Sequence, residues 1–205
     1  LEAKPYATSF VDGTRSAETL TIPTAGVLNP QEGTVELIWI PKQPINAIDG
    51  QGTSPKIFQI GEYAYNNSLV LWAFYAGVAK EPHLRIYVKG SSSSGWSIAK
   101  TVIGSGKGWY KVGEPIYLAV KWTNGNTFWV SVNGVTYGPY TISDPLTGWA
   151  GNKMWLPTNS NAIYDEVRIS NRARTDAEIQ AAYRNNQSLP VDAWTTLKLD
   201  FNGDL

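Results

Sequence analysis

Apolar and polar positions alternate along most of this chain, and the alternation divides it into short strands. Between Pro82 and Lys89, Leu84, Ile86 and Val88 fall on one face and Arg85, Tyr87 and Lys89 on the other, the pattern of a strand with one face buried. The stretch from Ile116 to Tyr140 repeats this over three strands. Asn124-Gly125 and Asn133-Gly134 interrupt it with the residue pairs that tight hairpin turns favour, so a meander is predicted. Its core face carries Ile116, Leu118, Val120 and Trp122, then Phe128, Val130 and Val132; its outer face carries Tyr117, Lys121, Trp129 and Ser131. Leu69 to Ala76 is apolar on both faces, which predicts a central strand covered on each side. Shorter strands are predicted over Lys56 to Gly61 and Trp96 to Ile103, the latter bracketed by flexible Gly-Ser turns at 90–95 and 104–108.

Towards its end the chain changes period. Ile163, Asp165, Val167 and Ile169 share one face and Tyr164, Glu166 and Arg168 the other, predicting a strand from Ile163 to Ile169. Thr175 and Glu178 then have capping-box spacing, and Ile179, Ala182 and Tyr183 recur at helical spacing until a polar run at 185–188 before Pro190. A helix from Thr175 to Arg184, packed through those three residues, is the expectation. Ala193 to Leu205 alternates again and reads as a strand. It either pairs into this domain's own sheet or opens a following repeat. Pairing is favoured, because an apolar strand left alone is an aggregation-prone edge.

The run DEVRIS at 165–170, followed by Asn171, Arg172 and Ala173 and a helix opening TDAEI, resembles the closing signature of laminin-G-like (LamG) domains of the concanavalin A-like superfamily. Glu32 to Glu36 (EGTVE) resembles the early strand of the same family, although the family's Trp two residues after the Glu is here Ile38, with Trp39 following. The resemblance spans Leu20 to Arg184. It implies an all-β fold, a two-sheet antiparallel jelly-roll sandwich with one short C-terminal helix. The corresponding division is an N-terminal linker and first strand at 1–19, the domain at 20–190 and a C-terminal strand at 191–205. Leu1 to Phe10 resembles the linker that leaves a preceding jelly-roll module in bacterial surface and phage tail proteins. A non-catalytic recognition or adhesion module of a larger extracellular or virion-associated protein is thereby implied. A spacer domain and an unusual glycoside-active domain are the alternatives.

Composition narrows the partners. At 205 residues the chain suits one large sandwich that buries about 70% of its unfolded surface. Nine Trp, eleven Tyr and nineteen Gly favour β over helical architecture. Basic and acidic residues balance at 17 each, so nothing points to nucleic acid or to an anionic membrane. The absence of Cys excludes disulfides, thiolate metal sites and a cysteine nucleophile. Neutral partners are expected: a glycan or cell-surface polysaccharide, and neighbouring domains of the parent protein.

Catalytic constellations are sparse. The single histidine, His83, has no serine elbow beside it, and Gly104 to Trp109 lacks the lysine-then-hydroxyl ending of a phosphate loop. Glycoside hydrolysis needs two facing carboxylates, and the alternate acidic pair Asp176/Glu178 is explained by helix capping. Aromatic rings are the better lead, since sugars stack C–H faces on them. Arg85, Tyr87, Tyr117 and Trp129 are the ligand-binding candidates, because alternation sends all four outward on strands that can belong to one sheet. Trp96, Trp109, Trp149 and Trp155, in or beside loops, come next. Asp165 shares a face with Val167 and Ile169, where a buried carboxylate costs several kcal/mol unless satisfied. An arginine such as Arg15 or Arg172, or backbone amides, would satisfy it. So would a structural calcium of the kind that the resemblance implies, with Asp165 as metal ligand.

Overall fold

The computed structural model describes residues 19–44, 56–63, 65–76, 81–104, 108–156, 162–185 and 189–200. The alternating stretches are strands in it. They are β1 (Leu20–Pro23), β2 (Gly33–Pro41), β3 (Lys56–Ile60), β4 (Ser68–Ala76), β5 (Glu81–Lys89), β6 (Ile98–Ile103), β7 (Ile116–Thr123), β8 (Thr127–Val132), β9 (Val135–Thr141), β10 (Lys153–Leu156), β11 (Ala162–Ser170) and β12 (Thr195–Leu199), with one α-helix, α1 (Asp176–Arg184). Antiparallel pairing gives two six-stranded sheets. The front sheet runs β1-β10-β3-β4-β5-β6 and the back sheet β12-β11-β2-β7-β8-β9. This is the expected all-β sandwich of jelly-roll type. The predicted linker before position 19, Arg15, residues 105–107 and the end of the last predicted strand, 201–205, lie outside the described residues.

The core lies where the alternation places it. Val35, Leu37 and Trp39 of β2, Leu118, Val120 and Trp122 of β7, and Phe128 and Val130 of β8 meet Phe58, Ile60, Leu69, Leu71, Leu84 and Ile86 of the front sheet. Each such side chain contributes about 1.5–3 kcal/mol when taken out of water. Trp39 takes the core side of β2 while Glu36 and Ile38 point outward, which fixes the register of that strand. The indole N–H groups of Trp122 and Trp149 donate to the Asn29 and Leu28 carbonyls at 3.0 and 3.1 Å. Trp109 donates to the Pro82 carbonyl at 3.0 Å. Trp109 and Trp149 are therefore core residues rather than rim rings.

Both meander turns form as read. Asn124 and Gly125 have φ of 53° and 62°, Asn133 and Gly134 48° and 79°, so both central residues are left-handed, as a turn matched to strand twist requires. The helix also begins as predicted. The Thr175 hydroxyl accepts from the Glu178 N–H, and the Glu178 carboxylate accepts from the Thr175 N–H. Ile179, Ala182 and Tyr183 seat α1 on Tyr117 and Ala119, on the outer face of the back sheet and apart from the main core. At the edge of that sheet β12 pairs with β11.

In β11 the period of two breaks. A bulge lies between Asp165 and Arg168, with Glu166 at φ 49°. Tyr164, Val167 and Ile169 consequently face the core, and the Tyr164 hydroxyl donates to the Ile57 carbonyl of the opposite sheet at 2.7 Å. Asp165 is half-buried instead of buried, and its Oδ1 accepts from the Glu166 N–H at 2.8 Å. The burial that called for a partner at Asp165, whether an arginine, backbone amides or calcium, is only partial, and a backbone amide supplies one. Arg172 pairs with Glu178, and among the described residues no group of three or more His, Cys, Asp or Glu side chains is placed to hold a metal ion.

Candidate functional site

The two outer faces are built differently, and the difference locates the site. On the back sheet Glu36, from the middle of β2, is fully buried and accepts from three directions. Arg168 Nε and Nη2 donate to its two carboxylate oxygens at 2.7 Å each, and the Tyr117 hydroxyl donates at 2.6 Å. Arg174 Nε lies 3.2 Å from the same carboxylate, while its Nη groups pair with Asp192 at 2.9 and 3.0 Å. Arg168 Nη1 reaches on to the Pro190 carbonyl at 2.6 Å. Burial, then the adjacent Glu36 carboxylate, pushes the Tyr117 phenol far above its ordinary pKa. With α1 and residues 189–194 laid over it, this face is closed by its own chain. Trp129 stands half-buried at its margin, 5.4 Å from the Lys121 ammonium, which in turn donates to Asp176 at 2.6 Å.

This cover is held by carboxylates that titrate low. Hydrogen bonds from Arg172 hold Glu178 down to about 2, from an ordinary 4.5. Hydrogen bonds from Arg174 likewise lower the Asp192 carboxyl, and one from Lys121 lowers that of Asp176. A depressed folded-state pKa contributes stability that is complete above the unfolded value and disappears as pH falls through the folded one. The melting temperature is therefore expected to stay level from pH 8 to about 5 and to fall between about 4.5 and 2. Melts at pH 7, 4.5 and 3 check this, and a level profile down to pH 3 would contradict it.

The front sheet presents a row of side chains instead of a cover. Lys56 of β3 stands opposite Trp72 of β4, and Trp72 opposite Arg85 of β5, with Thr101 of β6 beyond. In the adjacent outward row Trp155, Gln59, Val70, Tyr87 and Ala99 follow across five strands. Phe74 faces His83 on the far side of Arg85. Two connections add rings. Tyr63, after β3, packs 5.1 Å from Trp72 and 4.7 Å from Trp96, which precedes β6 and lies 5.3 Å from Tyr87. Trp72 meets Tyr87 edge-on at 4.7 Å. Lys56 lies 4.8 Å from the Tyr63 ring, and the Arg85 guanidinium 4.1 Å from the Phe74 ring. The outcome is a polar and aromatic surface of half-buried Trp72, Tyr63, Trp96 and Arg85, set over a buried row of Gln59, Val70 and Tyr87.

The Trp96 connection is anchored, although its serines read as flexible in the sequence. Asp144 accepts from the Ser91 hydroxyl at 2.8 Å, the Ser92 N–H at 2.6 Å and the Ser93 hydroxyl at 3.0 Å. The Ser92 amide is the main reason why the Asp144 carboxyl titrates below its ordinary range.

The four sequence candidates do not share a face. Arg85 and Tyr87 lie together on the front sheet, where Arg85 Nη1 donates to the Tyr87 hydroxyl oxygen at 2.8 Å. Tyr117 and Trp129 belong to the back sheet, across the whole core. Alternation distinguishes inside from outside but not one sheet from the other. Lys56, Tyr63, Trp72 and Phe74 were not among the candidates. Their signal is weak but real: aromatics at alternate positions of the doubly apolar strand β4, with a lysine and a tyrosine flanking the strand before it.

No protein-family model matches the chain, and no curated protein matches it in sequence. Solved structures of similar fold exist. Domain 4 of AbnA, an extracellular arabinanase from Geobacillus stearothermophilus solved in complex with arabinotriose, is 20% identical, with 80% of this chain and 71% of that one covered at a TM-score of 0.53. The binding domain of botulinum neurotoxin serotype D is 10% identical, with 91% and 44% covered at 0.61. Tailspike protein 2 of an Escherichia coli bacteriophage is 13% identical, with 89% and 25% covered at 0.61. The chain thus spans less than half of the neurotoxin and tailspike chains. At these identities the likeness is one of fold: a sandwich that occurs as binding domains within larger proteins and in a phage tailspike.

Proposed function

We propose that the chain is a non-catalytic, laminin-G-like recognition module that binds a saccharide on the outer face of its front sheet, within a larger extracellular or virion-associated protein. The supporting observation is the contrast between the faces. The back sheet is closed by α1 and residues 189–194, whereas the front sheet carries Trp72, Tyr63, Tyr87 and Trp96 with Lys56 and Arg85 among them. The half-buried rings of Trp72, Tyr63 and Trp96, packed on the buried Tyr87, keep flat surfaces for sugar C–H groups, and the polar groups between them serve hydroxyls. A sandwich of this fold in complex with arabinotriose supports the saccharide class as a capacity of the fold. The closing signature at 165–178 supports the laminin-G-like assignment. Cations rather than paired carboxylates occupy the described front face, which supports recognition over glycoside cleavage.

A glycan array followed by titration tests this. Affinity between millimolar and micromolar is expected, since a few stacked rings barely exceed the entropic cost of association. Trp72→Ala and Trp96→Ala are each expected to weaken binding about tenfold, roughly 1.4 kcal/mol per lost ring contact. Trp129→Ala, on the back sheet, should leave binding unchanged. Normal binding by both front-face variants, with melting curves that show them folded, would exclude this face. Silence across a broad array would favour a spacer domain.

A further inference from the structure

The chain is neutral, with 17 basic and 17 acidic residues, yet its charges are segregated. Register and alternation send Lys56, Arg85, Lys89 and Lys153 to the outer face of the front sheet. The buried carboxylates Glu36 and Glu166 belong to the back sheet.

Lys56 and Arg85 are the two cations inside the aromatic cluster, and among the described residues neither has a carboxylate partner. Lys56 Nζ donates to Gln59 Oε1 at 2.9 Å. Arg85 Nη1 donates to the Tyr87 hydroxyl oxygen at 2.8 Å and Nη2 lies 3.4 Å from the Thr101 hydroxyl. Arg85 Nε and the Trp72 indole N–H are covered without any acceptor. Burial lowers the Lys56 pKa, as expected of an ammonium partly stripped of water and given no countercharge. The row therefore offers donors and positive charge on both sides of one indole, and among the described residues no carboxylate answers them. Its two cations stem from backbones about 10 Å apart, two strand spacings, with the Lys56 ammonium over the Tyr63 and Trp72 rings and the Arg85 guanidinium over the Phe74 and Tyr87 rings.

We propose that this face selects an acidic saccharide of the uronate type, with its ring on the Trp72, Tyr63 and Trp96 cluster and its carboxylate between the Lys56 ammonium and the Arg85 guanidinium. The proposal rests on the saccharide-recognition reading and adds the charge of the ligand. A neutral sugar leaves two partly desolvated cations uncompensated. A carboxylate neutralises both and can accept two parallel N–H groups from the planar guanidinium.

The test compares binding of the whole chain to polygalacturonate, to the same polymer after reduction of its carboxyl groups, and to dextran sulfate. Polygalacturonate is expected to bind about tenfold or more tighter than its reduced form. That advantage should shrink between 0.1 and 1 M salt, as the screening length falls from about 10 to about 3 Å. Lys56→Gln and Arg85→Gln should each remove most of it. Arg184→Gln, which takes the same charge from the exposed end of α1, should not. Equal binding of the acidic and reduced polymers would overturn the uronate preference and leave saccharide recognition standing. Failure of both to bind, with no hit on a broad array, would remove both readings. Equal or tighter binding of dextran sulfate would overturn the preference for a carboxylate in favour of charge alone.

Discussion

Glu36→Ala is expected to lower the melting temperature by roughly 10 °C, from a loss of about 3–5 kcal/mol. The side chain is fully buried and takes hydrogen bonds from Arg168 and from Tyr117, with Arg174 at 3.2 Å. Its removal leaves Arg168, 1% exposed, with an uncompensated charge, and Tyr117, 3% exposed, without its acceptor. Arg174 suffers less because Asp192 and Ser170 still accept from it. The penalty comes from orphaned partners and not from an intrinsic strength of buried ion pairs, so Glu36→Leu combined with Arg168→Met should recover a good part of the loss. Asp165→Asn is the control: half-buried at the bulge, it should cost no more than about 0.5 kcal/mol. Thermal melts at pH 7 compare all four proteins. A Glu36→Ala protein within 2 °C of the parent would mean that the network fastens nothing.

That network also shows where a sequence reading of this chain reaches its limit. Local signals were legible because local chemistry enforces them. Asn-Gly pairs tolerate the left-handed φ of two hairpins, Thr175 and Glu178 satisfy each other's amides, and alternating β-branched and aromatic residues bury one face. The bulge in β11 is different. Its left-handed residue is Glu166, a type with no preference for that conformation, held there by contacts remote in sequence. Its carboxylate accepts from the Leu189 N–H at 2.8 Å and lies 3.2 Å from Lys198. A strict period of two therefore put Asp165 on the core face and Tyr164 opposite it, whereas Tyr164 packs against the core and Asp165 is only half-buried; Arg168 keeps the outward face but is buried there by the covering chain.

The site was half legible for a related reason. Alternation identified Arg85 and Tyr87 as outward residues, and they lie at the centre of the front-face cluster. Sheet membership is set by pairings between distant segments: β10 inserts between β1 and β3, and β2 lies between β11 and β7. Nothing within β7 or β8 indicates that Tyr117 will lie under a helix some 60 residues later. Trp72 was hidden for the opposite reason, since a strand apolar on both faces reads as core throughout.

Ile179→Asp should separate the two faces experimentally. Ile179 is wholly buried and joins α1 to Tyr117, Ala119 and Leu189 in a cluster distinct from the main core. Aspartate there forfeits about 1.5–3 kcal/mol of apolar burial and adds an unpaired carboxylate beside Tyr117, whose hydroxyl is already engaged by Glu36. A nine-residue helix has little stability in water by itself, so the cheapest response is for α1 to undock and melt. Hydrogen exchange is then expected to show lost protection over 176–185 and 189–192, while amides of β3, β4 and β5 stay protected because their core contacts are untouched. Saccharide binding on the front face should persist in the same protein at temperatures below its lowered melting point. Unchanged protection in α1 would show that Ile179 does not anchor the helix. Simultaneous loss across β3 to β5 would show that the cover and the front sheet unfold as one unit, and the front face could then no longer be treated as independent of the closed one.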